Sequence, residues 1–202
     1  MYRDAEYWGR PIPSLGDPDA ELLIVGLAPA AHGGNRTGRI FTGDRSGDFL
    51  YRALYEAGFA NQPLSRERGD GLKLSNCYIT AALRCAPPKN KPLPKELQNC
   101  RPYLEKELRL LKRVRAVLAL GRIAFDTYLR LVGSGRLSNE APGQLPPRSS
   151  LRFAHGASYT LAEGLPRLFA SYHPSQQNTL TGRLTPEMMR QVLHDIRTYL
   201  AS

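Results

Sequence analysis

The stretch Glu21-Leu-Leu-Ile-Val-Gly26 is a continuous apolar run closed by a glycine, the pattern of a strand buried on both faces. A glycine-rich passage follows it, and then residues 48–57 place Phe49, Leu50, Ala53 and Leu54 on one face of a helix. The same alternation recurs three times. Asn76-Cys-Tyr-Ile-Thr-Ala-Ala82 reads as a second strand, followed by a proline-rich crossing and a helix over residues 94–111. Pro94 suits that helix's first turn, whereas Pro102 inside it implies a kink or a break. Residues 115–120 form a third strand with its helix at 122–131, and residues 167–172 form a fourth. A last helix starts with Thr185 as N-cap and Pro186 in the first position, its inner face lined by Met189, Val192, Leu193, Ile196 and Leu200. The pattern is that of an α/β protein, a mostly parallel four-stranded sheet with helices on its faces. Residues 8–13 read as an irregular arm over the sheet edge, and residues 133–150 (GSGRLSNEAPGQLPPRSS) as a long surface loop.

Composition narrows the class of function. The 202 residues fit one domain (residues 1–202), and 42% hydrophobic with 23% charged residues excludes wholesale disorder. The longest apolar runs are too short to span a bilayer, and the first residues lack the apolar core of a secretory signal, so a cytoplasmic location is expected. Cys77, Cys85 and Cys100 are an odd number at irregular spacing, which suits a reducing compartment. A net charge of +10 favours a polyanionic partner, of which nucleic acid is the commonest.

In a doubly wound sheet, ligands sit beyond the carboxyl ends of the strands, which singles out the residues after Gly26, Ala82, Gly121 and Tyr172. The first segment, GLAPAAHGGNRTGRIFTGD (residues 26–44), matches neither GxGxxG nor a P-loop. It supplies a carboxylate at Asp44, an aromatic face at Phe41 and guanidinium groups at Arg36 and Arg39 for phosphates; Asp44 alternatively caps the following helix. Arg84-Cys-Ala-Pro-Pro-Lys-Asn-Lys-Pro92 is basic and stiffened by proline, a wall suited to a polyanion backbone. Ser171-Tyr-His-Pro-Ser-Gln-Gln-Asn178 places His173 at the mouth of the sheet, where it is either structural or chemical. His155 and His194 read as structural or surface residues, and His32 as a minor candidate. One carboxylate, one imidazole, an aromatic platform and basic loops meet the needs of N-glycosidic hydrolysis in DNA: an oriented water, a donor to the leaving base, a stacking surface and grips on phosphates.

These segments, with YITAALRCAPPKNKPLPKEL (residues 78–97), LALGRIAF (residues 118–125) and SYHPSQQNTLTGRLT (residues 171–185), resemble the uracil-DNA glycosylase superfamily, most closely its family 5. The resemblance implies a three-layer α/β/α, monofunctional base-excision glycosylase. Such an enzyme flips a deaminated base from double- or single-stranded DNA and leaves an abasic site. Asp44 is similar in position to the family's water-activating carboxylate, and His173 to its leaving-group stabiliser. Phe41 would stack on the base, and Asn90 matches an active-site asparagine. Gly26 and the backbone through Ala30 would line the pocket with Ala81, while Arg36, Arg39, Lys89 and Lys91 would meet DNA phosphates. Ala30 and Ala81 stand where stricter uracil enzymes carry polar groups. Without an amide reading the base edge, broad specificity is expected: uracil, hypoxanthine, and xanthine or mismatched thymine.

The resemblance also implies a structural 4Fe-4S cluster held by four cysteines, two of them in a C-x2-C near the N-terminus. The 202 residues contain no such pair. Cys85 and Cys100 match the family's other two ligands, and Cys77, in a strand, reads as a buried small hydrophobe. The expectation is a start placed late, with the cysteine pair upstream, and poor iron binding by the chain as given; a lineage that lost the cluster is the alternative. A monomer is the default state. The competing functional reading is a non-catalytic DNA-binding module of the same fold, against which the presence of both Asp44 and His173 counts.

Overall fold

In the computed structural model the described residues are 6–135 and 145–202, so half of the loop expected at 133–150 lies outside them. Four parallel strands form the centre: β2 (Leu22–Gly26), β3 (Cys77–Ala81), β4 (Ala116–Leu120) and β6 (Arg167–Ser171). Two short edge strands, β1 (Leu15–Gly16) and β5 (Ser158–Tyr159), pair antiparallel to them, giving the order β1-β3-β2-β4-β6-β5. The four-stranded expectation is therefore corrected to six. Two-residue strands are too short to carry a periodic signal, and the chain enters β1 from the irregular arm, whose Ile12 N–H donates to the Arg84 carbonyl.

Side chains alternate across the sheet and build two cores. Ile24, Ile79, Leu118 and Phe169 pack under α2 (Arg45–Glu56) and α6 (Pro186–Ala201), with Leu50, Tyr51, Leu193 and Ile196. Val25, Val117, Ala119 and Leu168 pack under α3 (Pro94–Leu110) and α4 (Arg122–Gly133), with Leu104, Phe125 and Tyr128. Helices thus cover both faces, the three-layer α/β/α arrangement. Among the described residues, no helix is long and apolar enough to cross a membrane.

Helix α3 runs through Pro102 without the break that was one of the two expectations. Pro102 is on the solvent side, where water can satisfy the carbonyl that loses its N–H partner. Thr185 caps α6 as anticipated, its hydroxyl accepting from the Met188 N–H. Helix α2 starts three residues earlier than its apolar face indicates, because Asp44 is its N-cap. Two short helices, α1 (Gly34–Thr37) and α5 (Gln176–Leu180), lie within the first and last strand-end loops.

Strand β2 lies between β3 and β4, and the chain leaves it toward one neighbour and later returns on the other side. The crevice beyond the carboxyl ends of β2 and β4 is therefore the topological switch point, the place where such sheets bind ligands.

Candidate active site

A cavity of about 300 Å³ opens at this switch point, lined by Leu27, Gly121, Ile123, Tyr172, His173 and Arg183, among others. A larger recess of about 580 Å³ lies between α2 and α6, but its walls are Glu56, Glu187, Arg190 and Arg197, largely engaged with one another, and it holds none of the motif residues.

Phe41 is buried and adopts a left-handed backbone (φ 51°), which is uncommon for a bulky residue and marks a conformation imposed by its surroundings. Its ring lies against Gly26: a β-carbon there would come within 2.9 Å of Phe41 Cε2 and Cζ. The Phe41 and His173 rings are 5.8 Å apart, tilted by 31°. Gly26 is in register with Ala81, so both small residues stand at the ends of adjacent strands beneath this group. Burial pushes His173 down to about 4, and the imidazole is therefore neutral at physiological pH. The Asn178 side-chain amide donates to the His173 carbonyl at 2.8 Å, fixing the turn that presents the ring. Arg183 lies over the Tyr172 ring at 4.7 Å on the same wall.

Asp44 fulfils the capping reading that its sequence position allowed. Its Oδ1 accepts from the Gly47 N–H at 3.0 Å and caps α2. Its Oδ2 lies over Gly33, where a β-carbon would come within 2.0 Å. Burial raises its pKa above the ordinary aspartate value, while the Gly47 and Ser46 N–H groups pull it back.

The basic residues divide. Lys89, Asn90 and Lys91 are exposed on the loop beyond β3, where Lys89 (φ 53°) and Asn90 (φ 56°) are both left-handed. Arg36 is half-buried, its Nε donating to the His32 carbonyl at 2.9 Å. Arg39 corrects the expectation of a phosphate contact: it is 7% exposed and its guanidinium is committed to Asp70, Ser65 and Thr42. Arg84 also turns inward, paired with Glu107 and donating to the Thr80 and Ser14 hydroxyls. Neither guanidinium can meet DNA without leaving the core. His32 is exposed, its Nδ1 2.6 Å from the Tyr7 hydroxyl. Gly33, Asp70 and Ser65 escaped the sequence reading. Only the doubled glycine of AHGG hinted at a close approach, and nothing local marked the other two.

Of the cysteines, Cys77 is fully buried in β3, and burial pushes its thiol up. Cys85 is exposed, its thiol raised by partial burial of the sulfur and by Cys100 on α3. Two thiols do not complete a four-cysteine cluster, and no group of three or more His, Cys, Asp or Glu among the described residues is placed to hold a metal. The described residues therefore do not provide a full ligand set.

Residues 13–197 match the sequence profile of the uracil DNA glycosylase superfamily. The chain is 51% identical over 196 residues to the type-5 uracil-DNA glycosylase of Thermus thermophilus, covering 97% of this chain and 83% of that one. It is 49% identical over 197 residues to the type-5 enzyme of Mycobacterium leprae, covering 97% and 81%. To the type-5 enzyme of Pyrobaculum aerophilum it is 46% identical over 192 residues, covering 95% and 77%. With a profile spanning nearly its whole length and relatives at about half identity, this chain belongs to the uracil-DNA glycosylase superfamily.

Proposed function

We propose that the protein is a monofunctional DNA glycosylase of base excision repair that hydrolyses the N-glycosidic bond of uracil in DNA and leaves an abasic site. The observation that carries this reading is the pairing of Phe41 with His173 over Gly26, at the switch point and three residues from the half-capping Asp44. An aromatic face and an imidazole stand side by side at the switch point, and the carboxylate follows the aromatic residue three positions along the same loop.

The flipped base stacks on Phe41, and the deoxyribose is held so that C1′ faces a water on Asp44 Oδ2. As the C1′–N bond breaks, its electron pair leaves with the base. His173, neutral because it is buried, donates a hydrogen bond to the base oxygen on which that charge accumulates. Water oxygen bonds to C1′, its proton passes to Asp44, and the base anion is protonated from solvent. Lys89 and Lys91, exposed on the β3 loop, suit phosphates rather than attack on C1′, which supports a hydrolase without lyase activity. Asn90 beside them would reach the base.

Ala30 and Ala81 offer no hydrogen bond to a base edge, and a pocket that leaves no polar group unpaired rejects wrong bases weakly. This supports hypoxanthine, and secondarily xanthine or mismatched thymine, as further substrates. Cys85 and Cys100 would be two ligands of the cluster that the family resemblance implies.

The test is a single-turnover incubation of the protein, beside Asp44→Asn, with end-labelled duplexes carrying uracil or hypoxanthine, each followed by alkali. Breaks that need both alkali and the unmutated carboxylate support the proposal. Tight DNA binding without breaks favours the binding-module reading, and breaks without alkali would mean a lyase.

A further inference from the structure

Arg39 stands inside the longest motif, yet the fold assigns it to an internal clamp. Its Nη1 and Nη2 donate to the two carboxylate oxygens of Asp70 at 2.8 and 2.6 Å, its Nη2 to Ser65 Oγ at 2.7 Å, and its Nε to Thr42 Oγ1 at 3.0 Å. Thr42 and Ser65 are fully buried, and their hydroxyls are 2.5 Å apart. The Gly43 N–H donates to the Ser65 carbonyl at 3.2 Å. Asp70 accepts in addition from the N–H groups of Arg66 and Leu72, at 2.8 and 3.1 Å. The network reaches the segment between the stacking residue and the carboxylate at two points, the Thr42 hydroxyl and the Gly43 N–H; Thr42 and Gly43 are the residues that join Phe41 to Asp44.

We propose that Asp70 is a positioning residue for this site, acting through Arg39, Thr42 and Ser65 to hold the Phe41–Asp44 segment in the geometry that catalysis needs. The inference rests on the roles given above to Phe41 and Asp44. A left-handed Phe41 persists only where its surroundings over-determine it, and the clamp supplies that constraint from Asp70, 31 residues downstream of Arg39. Burial would raise the Asp70 carboxyl, but Arg39 and the backbone N–H groups hold it well below the usual carboxylate range, so the clamp stays ionised throughout the working pH range. A buried ion pair is weak evidence for stability, since an apolar pair of similar volume often serves as well. What an apolar pair cannot supply is direction: the bonds from Arg39 Nε and Ser65 Oγ to Thr42 Oγ1 and from the Gly43 N–H to the Ser65 carbonyl set the position of residues 42 and 43.

The experiment compares the unmutated protein with Asp70→Asn, Ser65→Ala and the double variant Arg39→Met with Asp70→Leu. Three readouts are taken well below each melting temperature: the single-turnover rate at saturating uracil duplex, the Kd for a duplex carrying non-cleavable 2′-fluoro-2′-deoxyuridine, and the melting temperature. Asp70→Asn is expected to slow the chemical step roughly ten- to a hundredfold, the scale of a misplacement near 1 Å, with Kd changed less than about threefold. Ser65→Ala follows in the same direction by roughly three- to tenfold, and serves if Asp70→Asn does not fold. The double variant regains melting temperature relative to Asp70→Asn but not rate. A rate within threefold of the unmutated protein in both Asp70→Asn and Ser65→Ala, or recovery of rate together with melting temperature in the double variant, would overturn the positioning role. An unmutated protein inert on uracil duplex would instead overturn the glycosylase reading, and the role built on it.

Discussion

Two strand-end loops of this protein hold non-glycine residues in the left-handed region, and they do so by opposite means. Phe41, beyond β2, is buried, and its neighbours are tied by the Arg39–Asp70–Ser65–Thr42 network. Lys89 and Asn90, beyond β3, are exposed, and their turn is held by Pro87, Pro88 and two backbone bonds, Asn90 N–H to the Pro87 carbonyl and Lys91 N–H to that of Pro88, each 3.1 Å. The first arrangement fixes side chains before the substrate arrives, which is what chemistry requires. The second fixes the backbone and leaves the side chains in water, which is what suits phosphate contacts formed on binding. Under the proposed function, the contrast predicts that the first loop governs rate and the second affinity.

The largest expected effect is at Asp44. Asp44→Asn keeps a capping oxygen for α2 but cannot accept the water's proton, and should lower the single-turnover rate by about 100- to 10,000-fold with DNA affinity preserved. Equal rates would remove Asp44 from the mechanism and, with it, the division between loops.

Next comes Gly33→Ala. The added β-carbon would lie 2.0 Å from Asp44 Oδ2, so the carboxylate must move although the chemical group is intact. A rate loss of roughly a hundredfold is expected, with α2 intact by circular dichroism; an unaffected rate would show that the position of Oδ2 is unimportant.

The pH–rate profile sharpens the same point. The proposed reaction needs Asp44 ionised, and burial raises its pKa, so the rate should rise with pH through an inflection above the ordinary aspartate value. His173, held near 4, should contribute no inflection around 6.5. A step between pH 6 and 7 that disappears in His173→Ala would mean that the imidazolium is the working form.

The smallest effects belong to the exposed loop. Replacing both Lys89 and Lys91 with alanine should leave the rate at saturating DNA unchanged and weaken binding, lowering the slope of log Kd against log salt by about 2 in duplex DNA. A loss of rate instead of affinity would place that loop in the chemistry.

Much of this was legible in the chain itself. The four parallel strands announce themselves as short apolar runs because both faces of a central strand are buried, and Thr185-Pro186 marks a helix start because capping is chemistry between near neighbours. The motif segments around Asp44 and His173 were visible for a related reason: each is contiguous, and each follows a strand whose end the topology makes a ligand site. The edge strands β1 and β5, of two residues each, carry no period, and Pro102 is tolerated because of which side of α3 it faces, a matter of packing.

Arg39 and Arg36 show where a linear reading stops. Three residues apart in one basic, glycine-rich motif, they looked equally fit for phosphate, yet one is enclosed against Asp70 and Ser65 and the other remains half-buried beside His32. Local patterning determined the strands, the helices and the order in which reactive groups come to the sheet's edge, since those depend on neighbours within a turn or two of chain. Whether a given charge faces water or the core, and whether the second oxygen of Asp44 rests on a bare glycine, depended on segments brought together from far apart in sequence, because burial and close contact are properties of packing.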